Sequence, residues 1–167
     1  DNRAAEIAQA FREETFIQDW YQQSGVPMHA MLPLCKIKWL KENQLQIFES
    51  AYKFVGIKEY ILFQLTGVWV VDHAVAAAMG LLNIHSLDWY EGALAMAGIS
   101  RQQLPELGDA KTILPLLEGN SFSLTDTNIV LGSSDGAMAN LGSHAIDANT
   151  LAITIGTSAA VRIIQDQ

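Results

Sequence analysis

The chain is short of several things, and each shortage narrows what it can be. Its 167 residues hold one cysteine, Cys35. No internal disulfide can form, so a reducing compartment, the cytoplasm, is the expected setting. Lys and Arg number ten against eighteen Asp and Glu, the net charge is -8, and the basic residues form no stripe. A surface that tracks a nucleic-acid backbone needs clustered positive charge, so no nucleic-acid partner is expected. No apolar run reaches the ~18 residues of a membrane-spanning helix, and no signal peptide opens the chain, so no membrane partner is expected either. The histidines, His29, His73, His85 and His144, form no i, i+4 pair and join no cysteine cluster. That argues against zinc, and no protein-held metal is expected. Charge is scarce overall, at 17% beside 50% apolar residues, below the ~25% of an average soluble domain. Part of this surface is therefore expected to be covered by something else. There is no initiator methionine, and the chain stops just after an apolar run, "AVRIIQDQ". Both ends read as those of an internal piece of a longer protein.

What is present suggests helices first and strands later. Residues 4 to 23 are predicted as one helix, with Ala5, Ala8, Phe11, Phe16 and Trp20 as a broken apolar stripe ended by Gly25 and Pro27. A loop bracketed by Pro27 and Pro33 leads into a short helix from Leu34 to Asn43. Phe48 and Ala51 pack one turn; Ile57, Tyr60, Ile61 and Leu65 make another stripe that closes at Gly67. Val68 to Val71 reads as extended, and Asp72 as a cap for "HAVAAAMG". Asn83 to Asp88 is polar punctuation, and a helix is predicted from Trp89 to Gly98. Residues 108 to 127 read as a linker. A strand at 127–131, a helical segment at 137–141 and a strand–turn–strand in "LAITIGTSAAVRII" complete the chain. The coarse order is a helical part joined to the start of an α/β or α+β sheet.

Five groups of residues have side chains suited to chemistry. Asp135 lies in "NIVLGSSDGAMANLG" among Ser133, Ser134, Gly136 and Ala137. A carboxylate where a buried strand ends, with small neighbours, lies where open α/β sheets bind ligands. Within about 3 Å of a substrate hydroxyl it could take the proton as that oxygen attacks phosphorus. A helix cap in a Gly-rich turn would use the same residues. Gly156, Thr157 and Ser158 in "TIGTSAAV" combine a tight turn with hydroxyls and consecutive N–H groups, suited to a phosphate; an ordinary hairpin would look alike. His29 and Met31 lie in the Pro-bracketed loop. Lys36 and Lys38 in "CKIKWL" cannot both face the way of Trp39 and Leu40; one could contact an anionic substrate, and a solvated lysine is the plainer account. Arg3 in "DNR" could pair with Asp1 or bind ligand.

Taken together, "DNRAAE", "LCKIKWLKE", "GIKEYILFQLTG", "LDWYEGALAMAGISRQQLPEL", "GSSDGAMANLG" and "LAITIGTSAAV" resemble, in order and spacing, the FGGY carbohydrate kinase family. "GVPMHAMLPLCKIKWL" and "FVGIKEYI" look most like its gluconate kinase branch, with xylulokinase-like and glycerol-kinase-like readings open. The resemblance implies a partial α/β, ribonuclease-H-like/actin-like ATPase fold: the helical part of the first domain plus the first strands of the second. Residues 1–142 would be the later part of the N-terminal sugar-binding domain and 143–167 the start of the C-terminal ATP-binding domain. It implies a small-molecule sugar or sugar acid as substrate, with ATP and Mg²⁺; a homodimer stays open. Asp135 falls on the family's catalytic base, and Gly156, Thr157 and Ser158 on its phosphate-contacting turn. His29 and Met31 fall in the segment lining the sugar pocket, with Lys36 just beyond. A gluconate carboxylate would want a cation, for which Lys36, Arg3 and His29 are the visible candidates. The family's upstream "DxGTT"-like phosphate loop is missing here, and much of its adenine site would follow Gln167, so the full-length protein would be the enzyme and this piece inactive. A non-catalytic sugar-binding or regulatory domain, and a structural domain without ligand, are the rival readings.

Overall fold

The computed structural model describes residues 2–157 and 159–165 and divides the chain into two compact units, Asp1–Gly132 and Ser133–Gln167. The first unit runs α1 (Ala5–Glu13), α2 (Ile17–Ser24), α3 (Pro33–Asn43), α4 (Leu45–Ser50), α5 (Ile57–Thr66), β1 (Val70–Asp72) and α6 (His73–Ala78). It continues with β2 (Leu82–Asn83), β3 (Asp88–Trp89), α7 (Glu91–Ala97), β4 (Glu106–Gly108), β5 (Ile113–Leu114) and β6 (Ile129–Val130). The second unit holds α8 (Asp135–Gly142), β7 (Ala152–Ile155) and β8 (Ala159–Arg162).

The helix expected over residues 4 to 23 is two helices. Trp20 follows Ala8 by twelve residues, which on one continuous helix puts it roughly 120° away around the axis. Both are buried, so one straight helix could not deliver both to one core. Glu14 turns extended (φ -77, ψ 144), and Phe16 meets Phe11 edge-on at 6.5 Å. The chain is thereby re-aimed, and Trp20 enters the core with its Nε1–H donating to the Gly80 carbonyl at 3.2 Å. Gly80 has φ +76, and a Cβ there would sit 3.2 Å from Trp20 Cζ2. Backbone conformation and close packing both call for glycine.

The main core joins Trp20, Leu34, Cys35, Ile37, Val71, Leu81, Leu94 and Leu104. Helix α3 packs against α1, α4 and α7 to close it. Strands β1 and β4 pair in parallel, Val70 with Glu106 and Val71 with Leu107. A parallel pair this short holds because Val70 and Val71 are buried. The predicted helix from Trp89 begins later, at Glu91. Trp89 instead pairs with Leu82 in the β2–β3 hairpin, and its indole N–H donates to the Pro105 carbonyl at 3.2 Å. The punctuation at 83–88 is that hairpin's turn, held by Asn83 Oδ1 accepting from the N–H groups of His85 and Ser86.

Residues 108 to 127 are not a plain linker. They contain β5, which pairs with β6, and Leu114, which joins Leu62, Val70 and Leu131 in a second buried cluster. Asn120 organises the rest. Its amide donates to the carbonyls of Leu117 and Leu124, and its oxygen accepts from the N–H groups of Phe122 and Leu124. One side chain replaces the secondary structure that periodicity looks for, so a period search finds nothing there.

Asp72 ties three elements together. It is the last residue of β1, is buried, and accepts from the N–H groups of Ala74 and Val75 at 3.0 and 3.1 Å, capping α6 as predicted. Its second oxygen receives Lys58 Nζ of α5. Helix α5 itself ends at Gly67 in the left-handed region, as its sequence predicts. Replacing Asp72 with Ala should remove a cap worth about 0.5–2 kcal/mol along with the ion pair. Asp72→Asn keeps a capping oxygen and should recover about 1 kcal/mol of that loss. Urea unfolding of the two variants should rank alanine as the less stable; equal midpoints would refute the capping role.

Candidate functional site

The sequence-selected residues fall into two groups, one in each unit. Asp135, Gly156 and Thr157 are in the second unit, and Ser158 lies outside the described residues. Ser134 is the N-cap of α8, accepting from Ala137 N–H at 3.4 Å, so Asp135 is the first helical residue rather than the cap. Capping and carboxylate chemistry, alternatives in the sequence, are thus divided between two neighbours. One Asp135 oxygen accepts from Gly136 N–H at 2.7 Å; the other has no partner among the described residues. The side chain is exposed, and the small residues around it leave it open.

Strands β7 and β8 pair from Ala152↔Arg162 to Ile155↔Ala159, so Gly156 and Thr157 lie in the connection between them. Gly156 and Thr157 are exposed. Facing residues of an antiparallel pair share a side of the sheet. Ala152, Thr154, Ala160 and Arg162 make one side; Ile153, Ile155, Ala159 and Val161 make the other. On the first side Arg162 donates to Thr154 Oγ1 at 3.0 Å, and a Cβ placed on Gly136 would lie 3.4 Å from Arg162 Nε. The guanidinium therefore lies against Gly136 in the first turn of α8. Sequence reading missed Arg162; its alternation with Thr154 across the turn was the available signal.

In the first unit the loop before α3 presents His29 and Met31 outward, both exposed. His29 Nδ1 accepts from Met31 N–H at 3.2 Å, and His29 O accepts from Leu32 N–H at 3.0 Å, which fixes the turn. Below it, Arg12 donates twice to the Met28 carbonyl, at 3.2 and 3.0 Å, and buried Met28 Sδ meets Cys35 Sγ at 3.4 Å. Burial pushes the Cys35 thiol up to about 11, against a smaller opposing pull from Arg12.

Lys36 and Lys38 separate as their spacing requires. Lys38 pairs with Glu42 at 3.1 Å on the surface. Lys36 is half-buried and shares a cleft with Arg3, Ala4, Trp39 and Leu40. Arg3 lies over the Trp39 ring, 4.8 Å from its centroid. Trp39 as the wall of this cleft was not selected from sequence. No hydrogen bond or ion pair among the described residues joins His29 or Met31 to Arg3 or Lys36.

No group of three or more His, Cys, Asp or Glu among the described residues could hold a metal. No helix among them is long and apolar enough to cross a membrane.

The family model for the FGGY family of carbohydrate kinases, N-terminal domain, matches residues 1–142. The gluconokinase of Bacillus subtilis (strain 168) is 39% identical over 171 residues, covering 100% of this chain and 33% of that protein. Two solved structures from Lactobacillus acidophilus, a ligand-bound xylulose kinase and a gluconate kinase, are each 39% identical. Their TM-scores are 0.94 and 0.93, with 100% of this chain and 35% of each of theirs covered. The chain spans about a third of the length of these relatives.

A thiol held up at about 11 stays protonated through neutral pH, and the thiolate is the reactive form. Cys35 should therefore resist iodoacetamide between pH 7 and 9 in the native protein and label readily in denaturant. Peptide mass mapping reads this out, and rapid native labelling would contradict the burial.

Proposed function

Because the chain belongs to the FGGY family of carbohydrate kinases, we propose that the full-length protein moves the γ-phosphoryl group of ATP onto the primary hydroxyl of a sugar or sugar acid, with gluconate, giving 6-phosphogluconate, as acceptor. The fold is the actin-like ATPase fold of sugar kinases, present here in part. The observation that carries the reading is the 39% identity with a gluconokinase along the whole of this chain. By the same reading, 1–142 belongs to the sugar-binding domain and 143–167 opens the ATP-binding domain, in a cytoplasmic enzyme.

Asp135 is the proposed base. It accepts the proton of the sugar hydroxyl while that oxygen attacks the γ-phosphorus. The exposed carboxylate, with one oxygen without a partner among the described residues, supports this role. The turn at Gly156, Thr157 and Ser158 is the proposed phosphate contact, through backbone N–H groups and hydroxyls that meet charge spreading over the phosphoryl oxygens. Mg²⁺, arriving on the nucleotide, supplies further neutralisation of that charge; the described residues hold no acidic cage for it. His29 and Met31, held outward on a pinned loop, are proposed to line the sugar.

A xylulokinase reading has a specific observation in its favour: a solved xylulose kinase is as identical to this chain as a gluconate kinase from the same organism. A coupled ADP-release assay over gluconate, xylulose, ribulose and glycerol decides; turnover of xylulose without gluconate would replace the first reading.

In the full-length protein Asp135→Asn should lower kcat by about 10²–10⁴, the range for a general base. Sugar affinity by calorimetric titration should stay within a few-fold. Near-normal turnover would remove Asp135 from the chemistry.

A further inference from the structure

Phosphoryl transfer spreads negative charge over the oxygens of the moving group, and a cation touching them lowers the barrier. The second unit, Ser133–Gln167, contains a single Lys or Arg, Arg162. The same unit carries Asp135 and the connection at Gly156 and Thr157. Arg162 is half-buried, and no carboxylate among the described residues pairs with it. Asp135 turns one oxygen to Gly136 N–H, and Asp147 accepts from Asn149 N–H and the Thr150 hydroxyl.

The guanidinium is held at one corner and open at another. Thr154 Oγ1 accepts from Nη1 at 3.0 Å, which sets the group level with Thr154 on β7. Nε and Nη2 form an edge of two neighbouring donors, the kind that forks an oxyanion. Among the described residues this edge has no acceptor. Arg12 shows the structural use of the same edge: its Nε and Nη2 both donate to the Met28 carbonyl. A Cβ on Gly136 would lie 3.4 Å from Arg162 Nε and 4.0 Å from Nη2, so the residue after Asp135 passes beside these atoms without a side chain. Thr154 precedes Gly156 by two residues, about 7 Å along a strand. A phosphoryl group hydrogen-bonded on two sides, at about 2.9 Å each, bridges donors that far apart.

We propose that Arg162 is a further catalytic residue of the kinase reaction, donating from Nε and Nη2 to the oxygens of the γ-phosphoryl group in transfer. The proposal rests on the sugar-kinase reading and adds a residue to its site. In that step the sugar oxygen gives its proton to Asp135 and bonds to the γ-phosphorus, and the bond from that phosphorus to the oxygen bridging it to the β-phosphorus breaks to release ADP. Arg162 gains and loses no proton; it only meets the charge. Backbone N–H groups at the turn meet it from another side.

The test uses the full-length protein. Arg162→Ala should lower kcat by about 10²–10³, the loss on removing one preorganised donor. Arg162→Lys, which keeps charge but not the fork, should fall between alanine and wild type. Guanidinium chloride at sub-denaturing concentration should restore part of the alanine variant's turnover, and urea, similar in shape but neutral, should not. Near-normal kcat in both variants would overturn the proposal and leave the kinase reading standing. Equal rescue by urea, or no rescue together with a lowered melting midpoint, would make Arg162 a brace and also overturn it. Calorimetric titration of the accepted sugar without nucleotide separates the remaining source of an oxyanion. Affinity within a few-fold of wild type in Arg162→Ala is the expected result, whereas a loss of 10-fold or more would assign the guanidinium to a carboxylate on the sugar and end the phosphoryl contact. A wild-type protein that phosphorylates none of gluconate, xylulose, ribulose and glycerol would overturn the kinase reading and this residue's role together.

Discussion

Asp72 carries a carboxylate into the interior at the point where β1 stops and α6 begins. A buried charge is tolerated only where its lone pairs are met. Here two backbone donors of α6 meet one oxygen and Lys58 of α5 meets the other. The strand end, the helix start and the neighbouring helix are therefore fixed by one side chain. In the parallel pairing of β1 with β4 the register places Asp72 opposite Gly108. A Cβ on Gly108 would lie 2.7 Å from Leu131 Cδ2 and 3.1 Å from Val70 Cγ2, so the second buried cluster closes against the same strand pair. Lys58 is only partly buried, which keeps the cost of desolvating the pair lower than for two enclosed ions.

Much of this architecture was legible where a single residue type announces a boundary. Asp72 as a cap, Gly67 as a helix stop and the turn between β7 and β8 are local decisions, made by backbone preference and one side chain. The breaks that escaped reading depend on distant partners. The bend at Glu14 exists because Trp20 must reach Gly80 sixty residues away, and nothing within the stripe of Ala5, Ala8 and Phe11 encodes that. Residues 108 to 127 escaped because Asn120 supplies their order through four hydrogen bonds to its own loop. Strands of two residues leave too little alternation to detect.

The candidate site was legible as residue types and opaque as groupings. Small residues around Asp135 marked an open carboxylate, and the structure added that Ser134 takes over the capping. Spacing alone required Lys36 and Lys38 to diverge, yet that each would line a different cleft beside Arg3 and Trp39 was not visible in it. Arg162 was invisible because its relevance comes from strand pairing across the turn. The low charge content has its counterpart in bare apolar surface: Ile153, Ile155 and Val161 share one uncovered side of the hairpin.

The other side of that hairpin has a mechanical meaning. Arg162 braces Thr154 on the adjacent strand and lies against Gly136 in the first turn of α8, so the hairpin meets the helix at its open end, beside the residue that follows the carboxylate. On the proposed reading, the proton acceptor and the phosphate cradle are mounted on one bracket of 35 residues, Ser133–Gln167. On that reading one short run of chain supplies both the proton acceptor and the phosphate contact, whereas the loop proposed to line the sugar belongs to the other unit.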